Sequence, residues 1–84
     1  MKQATQFFTT YDLNLSTTLR CLGFAIEKIE RKGNKGLFFF KESPQLFQTI
    51  DDYFKEKIKL TPQDFANNLK AIKNRLYSGL EGHD

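Results

Sequence analysis

The sequence predicts a small α+β domain with the element order β-α-β-β-α-α, and three observations predict it. An aromatic and β-branched run opens the chain, a glycine-containing turn joins two further strand-like segments, and Ser-Pro and Thr-Pro pairs begin two amphipathic stretches. With only three strands, we expect the helices to cover mainly one face of the sheet and the other face to stay open. We expect the 84 residues to form a single domain, with an ordered core over about residues 6–77 and a flexible tail over 78–84.

The first strand and the first helix are predicted before residue 24. QFFTTY, residues 6–11, is rich in the aromatic and β-branched residues that favour strands, and Asp12 follows it as a favourable helix N-cap. Leucines then recur at helical spacing along one face. They are Leu15, Leu19 and Leu22. Gly23 can adopt the left-handed conformation that ends a helix, so we expect a helix of about three turns.

Residues 24–31 and 36–41 predict a β-hairpin across a turn that contains lysine and glycine. We expect residues 32–34 to form a three-residue loop. In that register the face directed at the core carries Phe24, Ile26, Phe38 and Phe40, with Lys28 near its open end. The opposite face carries Ile29, Leu37 and Phe39. A register shifted by one residue would pair Phe40 with Glu27, which is a poorer match, so we favour the first register.

Two further helices are predicted from their start signals. Ser43 and Pro44 form an N-cap followed by proline at the first helical position, and Thr61 and Pro62 repeat that order. The apolar stripe of the second helix comprises Leu46, Phe47, Ile50, Tyr53, Phe54 and Ile58. The stripe of the third comprises Phe65, Leu69, Ile72 and Leu76, with Asn67, Lys70, Asn74 and Tyr77 on the opposite face and Lys73 at its edge.

Composition and charge limit the kinds of partner and compartment that we expect for this protein. The chain carries 13 basic and 10 acidic residues, and residues 1–41 hold seven basic and three acidic groups. This bias is compatible with a polyanionic partner, although solubility explains it equally well. The single cysteine, Cys21, excludes an internal disulfide, and no apolar run reaches the roughly 18 residues of a membrane span. We expect a cytoplasmic protein without a membrane partner.

Residues suited to catalysis or metal binding are few and dispersed. His83 lies in the expected tail, and Cys21 has no histidine neighbour to activate it. Asp51 and Asp52 are consecutive on a helix and therefore point about 100° apart. No Cys, His and carboxylate cluster has metal-ligand spacing, and GNKG, residues 33–36, lacks the spacing of a phosphate-binding loop. We expect a non-enzymatic protein that holds no metal and no cofactor.

The hairpin is the best candidate binding site, with nucleic acid as its ligand. From Lys28 to Lys41 the chain has five basic residues and one acidic residue. We expect the basic side chains to contact phosphates and Phe39, which points away from the core, to stack on a base. The predicted binding residues are Lys28, Arg31, Lys32, Lys35, Phe39 and Lys41.

The second strand of the hairpin matches the sequence pattern of the RNA-recognition motif in part. Lys35, Gly36 and Phe39 agree with that pattern. The positions that depart from it are Leu37, Phe38, Phe40 and Glu42. The predicted final helix also stands where that fold has its fourth strand.

Alternatives to nucleic-acid binding remain open. The apolar residues Ile29, Leu37 and Phe39 are also explained by contact with the third helix or with a protein partner. That partner is either a second copy in a homodimer or a different protein. Lys70, Lys73 and Tyr77 form a second candidate contact surface, and their alternative is the solvent-facing side of an amphipathic helix.

Three segments carry a resemblance that spans roughly residues 7–77: FFTTYDLNLSTTLRCLGF, LFFFKESPQLFQTIDDYF and LTPQDFANNLKAIKNRLY. Together they resemble a family of small bacterial, phage and prophage proteins known only as a domain of unknown function. The positions that match the family pattern are Thr10, Asp12, Leu13, Gly23, Phe24, Phe38, Phe40, Glu42, Ser43, Pro44 and Lys73 to Tyr77. Tyr11 interrupts the Thr-Asp-Leu opening of that pattern, and Ser16 and Thr17 stand where alanines are usual. The resemblance implies a phage or mobile-element context and assigns no catalytic residue.

Overall fold

The computed structural model describes residues 6–81, with side chains as far as Ser78. It contains β1 (Phe7–Thr10), α1 (Leu13–Cys21), β2 (Lys28–Lys32), β3 (Lys35–Lys41), α2 (Pro44–Phe54) and α3 (Pro62–Glu81). The predicted α+β class and the order β-α-β-β-α-α are therefore confirmed.

The three strands form an antiparallel sheet in which β3 lies between β1 and β2. Phe39 of β3 pairs with Thr9 of β1 and with Lys28 of β2. Because directly paired residues point to the same side of a sheet and successive residues alternate, the register divides the side chains into two sets. We call the set that contains Phe38 and Phe40 the inner face, and the set that contains Phe39 the outer face.

The inner face holds the hydrophobic core. Phe38 and Phe40 are each 1% exposed, as the sequence predicts. They form one cluster with buried residues of all three helices and of the segment before β2. The cluster comprises Leu15, Leu19, Ile26, Phe38, Phe40, Leu46 and Ile72. The described helices therefore cover the inner face and leave the outer face open.

The predicted helix caps are present. The Asp12 carboxylate accepts a hydrogen bond from the Leu15 N–H at 3.0 Å, and the Ser43 hydroxyl accepts one from the Leu46 N–H at 3.0 Å. The Thr61 hydroxyl likewise accepts from an N–H in the first turn of α3. Each cap satisfies a backbone donor that has no partner within its helix, so the three starts are set locally.

α1 is buried on almost every side, because it packs against α2 and α3 as well as over the core. Its buried residues are Leu15, Ser16, Thr17, Thr18 and Leu19. The Thr17 hydroxyl donates to the Leu13 carbonyl at 2.8 Å, and the Thr18 hydroxyl donates to the Asn14 carbonyl at 3.0 Å. These bonds to the preceding turn let polar residues occupy a buried helix.

The hairpin register differs from the predicted one. Lys32 pairs with Lys35, so the loop consists of Gly33 and Asn34 rather than of three residues. Gly33 has a φ of +65°, whereas Asn34 does not have a positive φ, which is the pattern of a type II′ turn. The backbone twist of this turn matches the right-handed twist of the strands, which favours it over the longer loop.

The shorter loop moves Ile29 to the inner face, where it lies opposite Phe38 and packs against the core. The prediction that Ile29 shares a face with Leu37 and Phe39 is therefore wrong. The prediction that Lys28 lies at the open end of the core-facing side is also wrong, because Lys28 pairs with Phe39 on the outer face. Arg31 moves with it, because it pairs with the buried Gly36 on the inner side of the sheet.

β2 begins at Lys28, later than the predicted residue 24. The Glu27 N–H donates to the Phe39 carbonyl at 2.8 Å, and Lys28 pairs with Phe39 as well. Two residues of one strand thus lie opposite one residue of its neighbour, which is the arrangement of a β-bulge. The extra residue changes the alternation of side chains before Lys28. Ile26 is therefore buried, as predicted, although the residues of β2 follow the shifted register.

α2 ends at Phe54, before the predicted stripe ends at Ile58. Glu56 has a φ of +61°, and the Lys57 N–H donates to the Asp52 carbonyl at 2.9 Å. This hydrogen bond is that of a Schellman motif, in which glycine usually takes the left-handed position. The stop was missed because a glutamate occupies that position.

The predicted apolar stripes are buried only in part. In α2, Leu46 is fully buried, whereas Phe47 is 44% and Phe54 65% exposed. Leu22, which was predicted on the stripe of the first helix, follows α1 and is 42% exposed. α3 begins at Pro62 as predicted but continues to Glu81, so the expected tail begins inside this helix. Residues 82–84, including His83, lie outside the described residues.

Candidate nucleic-acid interface

The outer face of the sheet brings most of the predicted binding residues together. Strand pairing places nine side chains on it: Phe7, Thr9, Lys28, Glu30, Lys32, Lys35, Leu37, Phe39 and Lys41. Four of them are lysines and one is a glutamate, which gives this face a formal charge of +3. Five of the six predicted binding residues lie here, and Arg31 is the exception.

Phe39 lies at the centre of the outer face, as the sequence predicts. Its ring centroid is 5.9 Å from that of Phe7, with the two planes at 75°. The Lys28 Nζ lies 5.0 Å from the Phe39 centroid, at a distance suited to a cation–π contact. These two neighbours leave Phe39 half-buried. A base that stacks on this face of the ring would displace the end of the Lys28 side chain.

Glu30 partly neutralises the positive charge of β2. Its carboxylate lies 2.9 Å from the Lys28 Nζ and 3.6 Å from the Lys32 Nζ. The hydrogen bond from Lys28, with the charges of both lysines, holds the pKa of the Glu30 carboxyl below its ordinary value. Glu30 therefore remains ionised at neutral pH and offsets part of the field that would attract a phosphate.

Lys35 and Lys41 lie on β3 and form no ion pair with a described residue. Both are exposed. The Lys35 Nζ lies 5.9 Å from the centroid of the Tyr11 ring, which is 51% exposed. These lysines are the more available cations of the outer face, because no carboxylate competes for them.

Arg31 is exposed but separate from the outer-face lysines. Its guanidinium donates a hydrogen bond to the Gly33 carbonyl at 3.0 Å, so it folds back onto the hairpin loop. The six predicted residues therefore do not form one surface, because the two-residue loop turns Arg31 to the inner side.

The residues of the second candidate surface are brought together on α3. Lys70, Lys73 and Tyr77 line a cavity of about 360 Å³ with Leu69 and two further residues of that helix. We call this the α3 surface. Tyr77, which is 48% exposed, also lines a neighbouring cavity of about 250 Å³ that includes Tyr11 and Lys35. The α3 surface and the hairpin therefore meet at Tyr77.

This meeting of Tyr11, Lys35 and Tyr77 was missed by the sequence reasoning. Tyr11 is far from Lys35 and from Tyr77 along the chain, so no spacing in the sequence links the three residues. Gly36 lets the two elements approach, because a Cβ there would lie 2.8 Å from the Leu76 Cδ1 of α3. No local pattern carries this signal, since it depends on how α3 packs across the sheet.

A further cavity, of about 530 Å³, has a different chemical character. It is lined by Asp12, Thr18, Tyr53, Phe54, Glu56, Ile58 and Leu60. Burial, and then the charge of Asp12, raise the pKa of the Tyr53 hydroxyl. Because its charged lining residues are carboxylates, this cavity is unsuited to a polyanion.

Cys21 and Arg75, a thiol and a cation away from the outer face, form hydrogen bonds with backbone carbonyls. Burial, followed by the charge of Asp64, raises the pKa of the Cys21 thiol, which lowers its thiolate fraction. The Arg75 guanidinium donates to the Ile26 carbonyl at 3.0 Å. Within the described part of the chain, no three His, Cys, Asp or Glu side chains converge as metal ligands would. Among residues 6–81, no helix combines the length and apolar character needed to cross a membrane.

A family model described as "Domain of unknown function (DUF5659)" matches residues 5–78. The chain belongs to this family. No curated protein and no solved structure matches the chain. In this DUF5659 member, Asp12 and Ser43 cap helices, Gly23 has a φ of +99° after α1, and Phe38 and Phe40 are buried.

Proposed function

We propose that this DUF5659 protein is a non-enzymatic accessory protein that binds nucleic acid through the outer face of its sheet. The observation that carries the proposal is the placement of four lysines around Phe39 on a face that no described helix covers. Phosphates are the anionic groups that such a surface attracts, and an aromatic ring at its centre offers a stacking partner.

The ligand best suited to this face is a single strand. Phe7 and Phe39 are held on a sheet rather than on a projecting element, so they reach bases only where those bases are unpaired. The lysines flank the two rings on both sides, with Lys41 beside Phe7 and Lys28 beside Phe39. Phosphates of one strand can lie along these cations while a base contacts a ring.

The resemblance to small bacterial and phage proteins supports a phage or mobile-element role in the cytoplasm. Neighbouring genes test that context, because a replication or packaging cassette fits a nucleic-acid ligand. A consistent association with host-takeover genes would instead favour a protein partner over nucleic acid, and neighbours from neither class would contradict the phage or mobile-element role.

Binding is tested by fluorescence anisotropy with a labelled single strand and with the corresponding duplex at two salt concentrations. If the four outer-face lysines each neutralise one phosphate, the logarithm of the association constant should fall against that of the salt concentration with a slope of about −3. Affinity for neither strand form, or affinity that does not change with salt, would overturn the proposal.

A double substitution, Lys35→Gln with Lys41→Gln, identifies the surface used. We expect it to weaken binding and to reduce the salt slope by about 0.7 for each lysine. The matched control is Lys57→Gln with Lys59→Gln, which removes the same charge from the exposed segment after α2. Equal losses in both double variants would mean that net charge, rather than the outer face, determines binding.

A second candidate function is protein binding, and the apolar strip of Phe7, Leu37 and Phe39 favours it. These side chains lie together on the open face, and contiguous exposed apolar residues commonly mark protein contacts. A host protein that uses this strip would bind with little dependence on salt and would be released by Phe39→Asp. Pull-down with that variant, alongside the anisotropy titration, distinguishes the two functions.

A further inference from the structure

The two edges of the sheet differ in charge. The edge strand β2 has the sequence Lys-Ile-Glu-Arg-Lys, so four of its five residues are charged. The other edge strand, β1, has the sequence Phe-Phe-Thr-Thr and carries no charge. Charged side chains on an edge strand oppose pairing with another chain, whereas an uncharged edge permits it. We propose that β1 pairs antiparallel with β1 of a second copy, which forms a two-fold dimer with a continuous sheet.

The hydrogen bonds of β1 show which of its backbone groups have no partner among the described residues. The Glu42 N–H donates to the Gln6 carbonyl at 3.1 Å, so Gln6 faces β3. Because the peptide groups of an antiparallel strand alternate in direction, Phe8 also faces β3, whereas Phe7 and Thr9 face the open edge. The β1 edge therefore presents the N–H and C=O groups of Phe7 and Thr9 at the spacing that a further strand requires.

A two-fold axis at Phe8 uses all of these groups. Phe7 of each copy then pairs with Thr9 of the other, and each pair exchanges both N–H···O bonds. The same register places the two Phe8 side chains opposite each other on the inner face. Each copy thus supplies the complement of its own edge, which is the condition for a closed, isologous dimer.

Exposed rings on both sides of the β1 edge support this partner. On the inner side, Phe8 makes an edge-to-face contact with Phe47, whose centroid is 6.3 Å away and which is 44% exposed. On the outer side, Phe7 is 43% exposed. A second copy at this edge removes both rings from water, because its own Phe8 and Thr9 lie directly beside them. The β2 edge has no comparable pair of exposed rings within the described residues.

The absence of charge on β1 also favours a second copy of the chain as the partner at this edge. Two copies of a chain with a net charge of +3 repel each other least where neither presents a cation, and β1 is such a place. A polyanion would find no cation in β1 itself. The dimer does not require nucleic-acid binding. It would cover Phe7 but leave Phe39 and the four lysines on the outer face, and it would join two outer faces into one surface.

Sedimentation equilibrium of the full chain at micromolar concentrations tests this dimer. We expect the mass of two chains for the natural sequence. Thr9→Pro removes an outward N–H in each copy without removing a bond to β3, and edge positions of this kind tolerate proline. We expect it to raise the dimer dissociation constant about tenfold or more. Its control, Arg31→Pro, places proline on the β2 edge and should leave the mass unchanged.

Phe47→Asp gives a second test that does not alter the strand. Phe47 is exposed in a single copy, so the variant is expected to fold and to become monomeric. Its control is Phe54→Asp, which changes a still more exposed ring of the same helix and should remain dimeric. Circular dichroism confirms folding of all four variants. A monomeric natural chain, or a dimer that persists in both Thr9→Pro and Phe47→Asp, would overturn the proposal.

Discussion

The inner and outer faces of β3 are built from the same short run of residues, but their side chains have opposite surroundings. Phe38 and Phe40 are each 1% exposed beneath the helices, whereas Phe39 between them lies half-buried among lysines. Three identical rings thus differ only in the direction in which the strand turns them. On this sheet, the position of a phenylalanine in the alternation therefore decides whether its ring is buried in the core or lies on the open face.

The largest expected effect is on stability at the inner face. We expect Phe38→Ala to lower the free energy of unfolding by about 3–5 kcal/mol, because it leaves a cavity in the core. Phe39→Ala should cost about 1 kcal/mol, since it loses mainly the contact with Phe7. Urea unfolding followed by circular dichroism measures both. Equal losses would mean that the two faces are not distinct.

The next effect concerns binding at the outer face. If Phe39 stacks on a base, Phe39→Ala should weaken single-strand binding by about 1–3 kcal/mol, whereas Phe39→Tyr, which keeps the ring, should retain it. Anisotropy titration measures these changes, and duplex binding should respond little. A loss of the same size in Phe39→Tyr would contradict stacking.

Substitution of Gly36 tests the packing of α3 on the inner face. Its substitution by alanine should cost about 1 kcal/mol, because the new methyl group meets the Leu76 Cδ1, which lies 2.8 Å from the Cβ position. Gly33→Ala should also cost about 1 kcal/mol, but through its φ of +65° rather than through crowding.

Thermal unfolding in a Leu76→Ala background separates these two causes. The cost of Gly36→Ala should shrink there, because the crowding methyl is gone, while the cost of Gly33→Ala should stay the same. If both costs are unchanged, the close approach of α3 to the hairpin does not limit residue 36.

The smallest effect is expected at Glu30. Its folded-state pKa is lowered by the hydrogen bond and charge of Lys28, so its contribution to stability is present above the pKa of the unfolded chain. That contribution is lost as the pH falls through the lower, folded-state pKa. Glu30→Gln should therefore be slightly less stable than the natural chain at neutral pH and equally stable in acid.

The same substitution should tighten nucleic-acid binding, because it removes the carboxylate that holds Lys28 and Lys32. Unfolding curves at several pH values and an anisotropy titration measure the two consequences. Weaker binding by Glu30→Gln would mean that the carboxylate positions the lysines rather than competing for them.

The elements and their starts could be predicted because their causes are local. Asp12, Ser43 and Thr61 act on N–H groups within three residues of themselves, so each cap can be identified from a few neighbouring letters. The end of α2 could not, because Glu56 takes a left-handed conformation that glycine usually adopts. Of the six predicted binding residues, five lie on the outer face, whereas Arg31 does not because the hairpin register differs from the predicted one.

By itself, the sequence determined the order of the elements and the alternation that sends Phe39 away from Phe38 and Phe40, because successive residues of any strand point to opposite sides. Only the tertiary structure decided the two-residue loop, the bulge before β2 and the resulting inner position of Ile29. It also decided the meeting of Tyr77 with Lys35 and the exposure of Phe47. Register and helix packing depend on contacts between residues distant in the chain. A register shift of one residue changes which side chains face the core, but it does not change the sequence from which the elements are predicted.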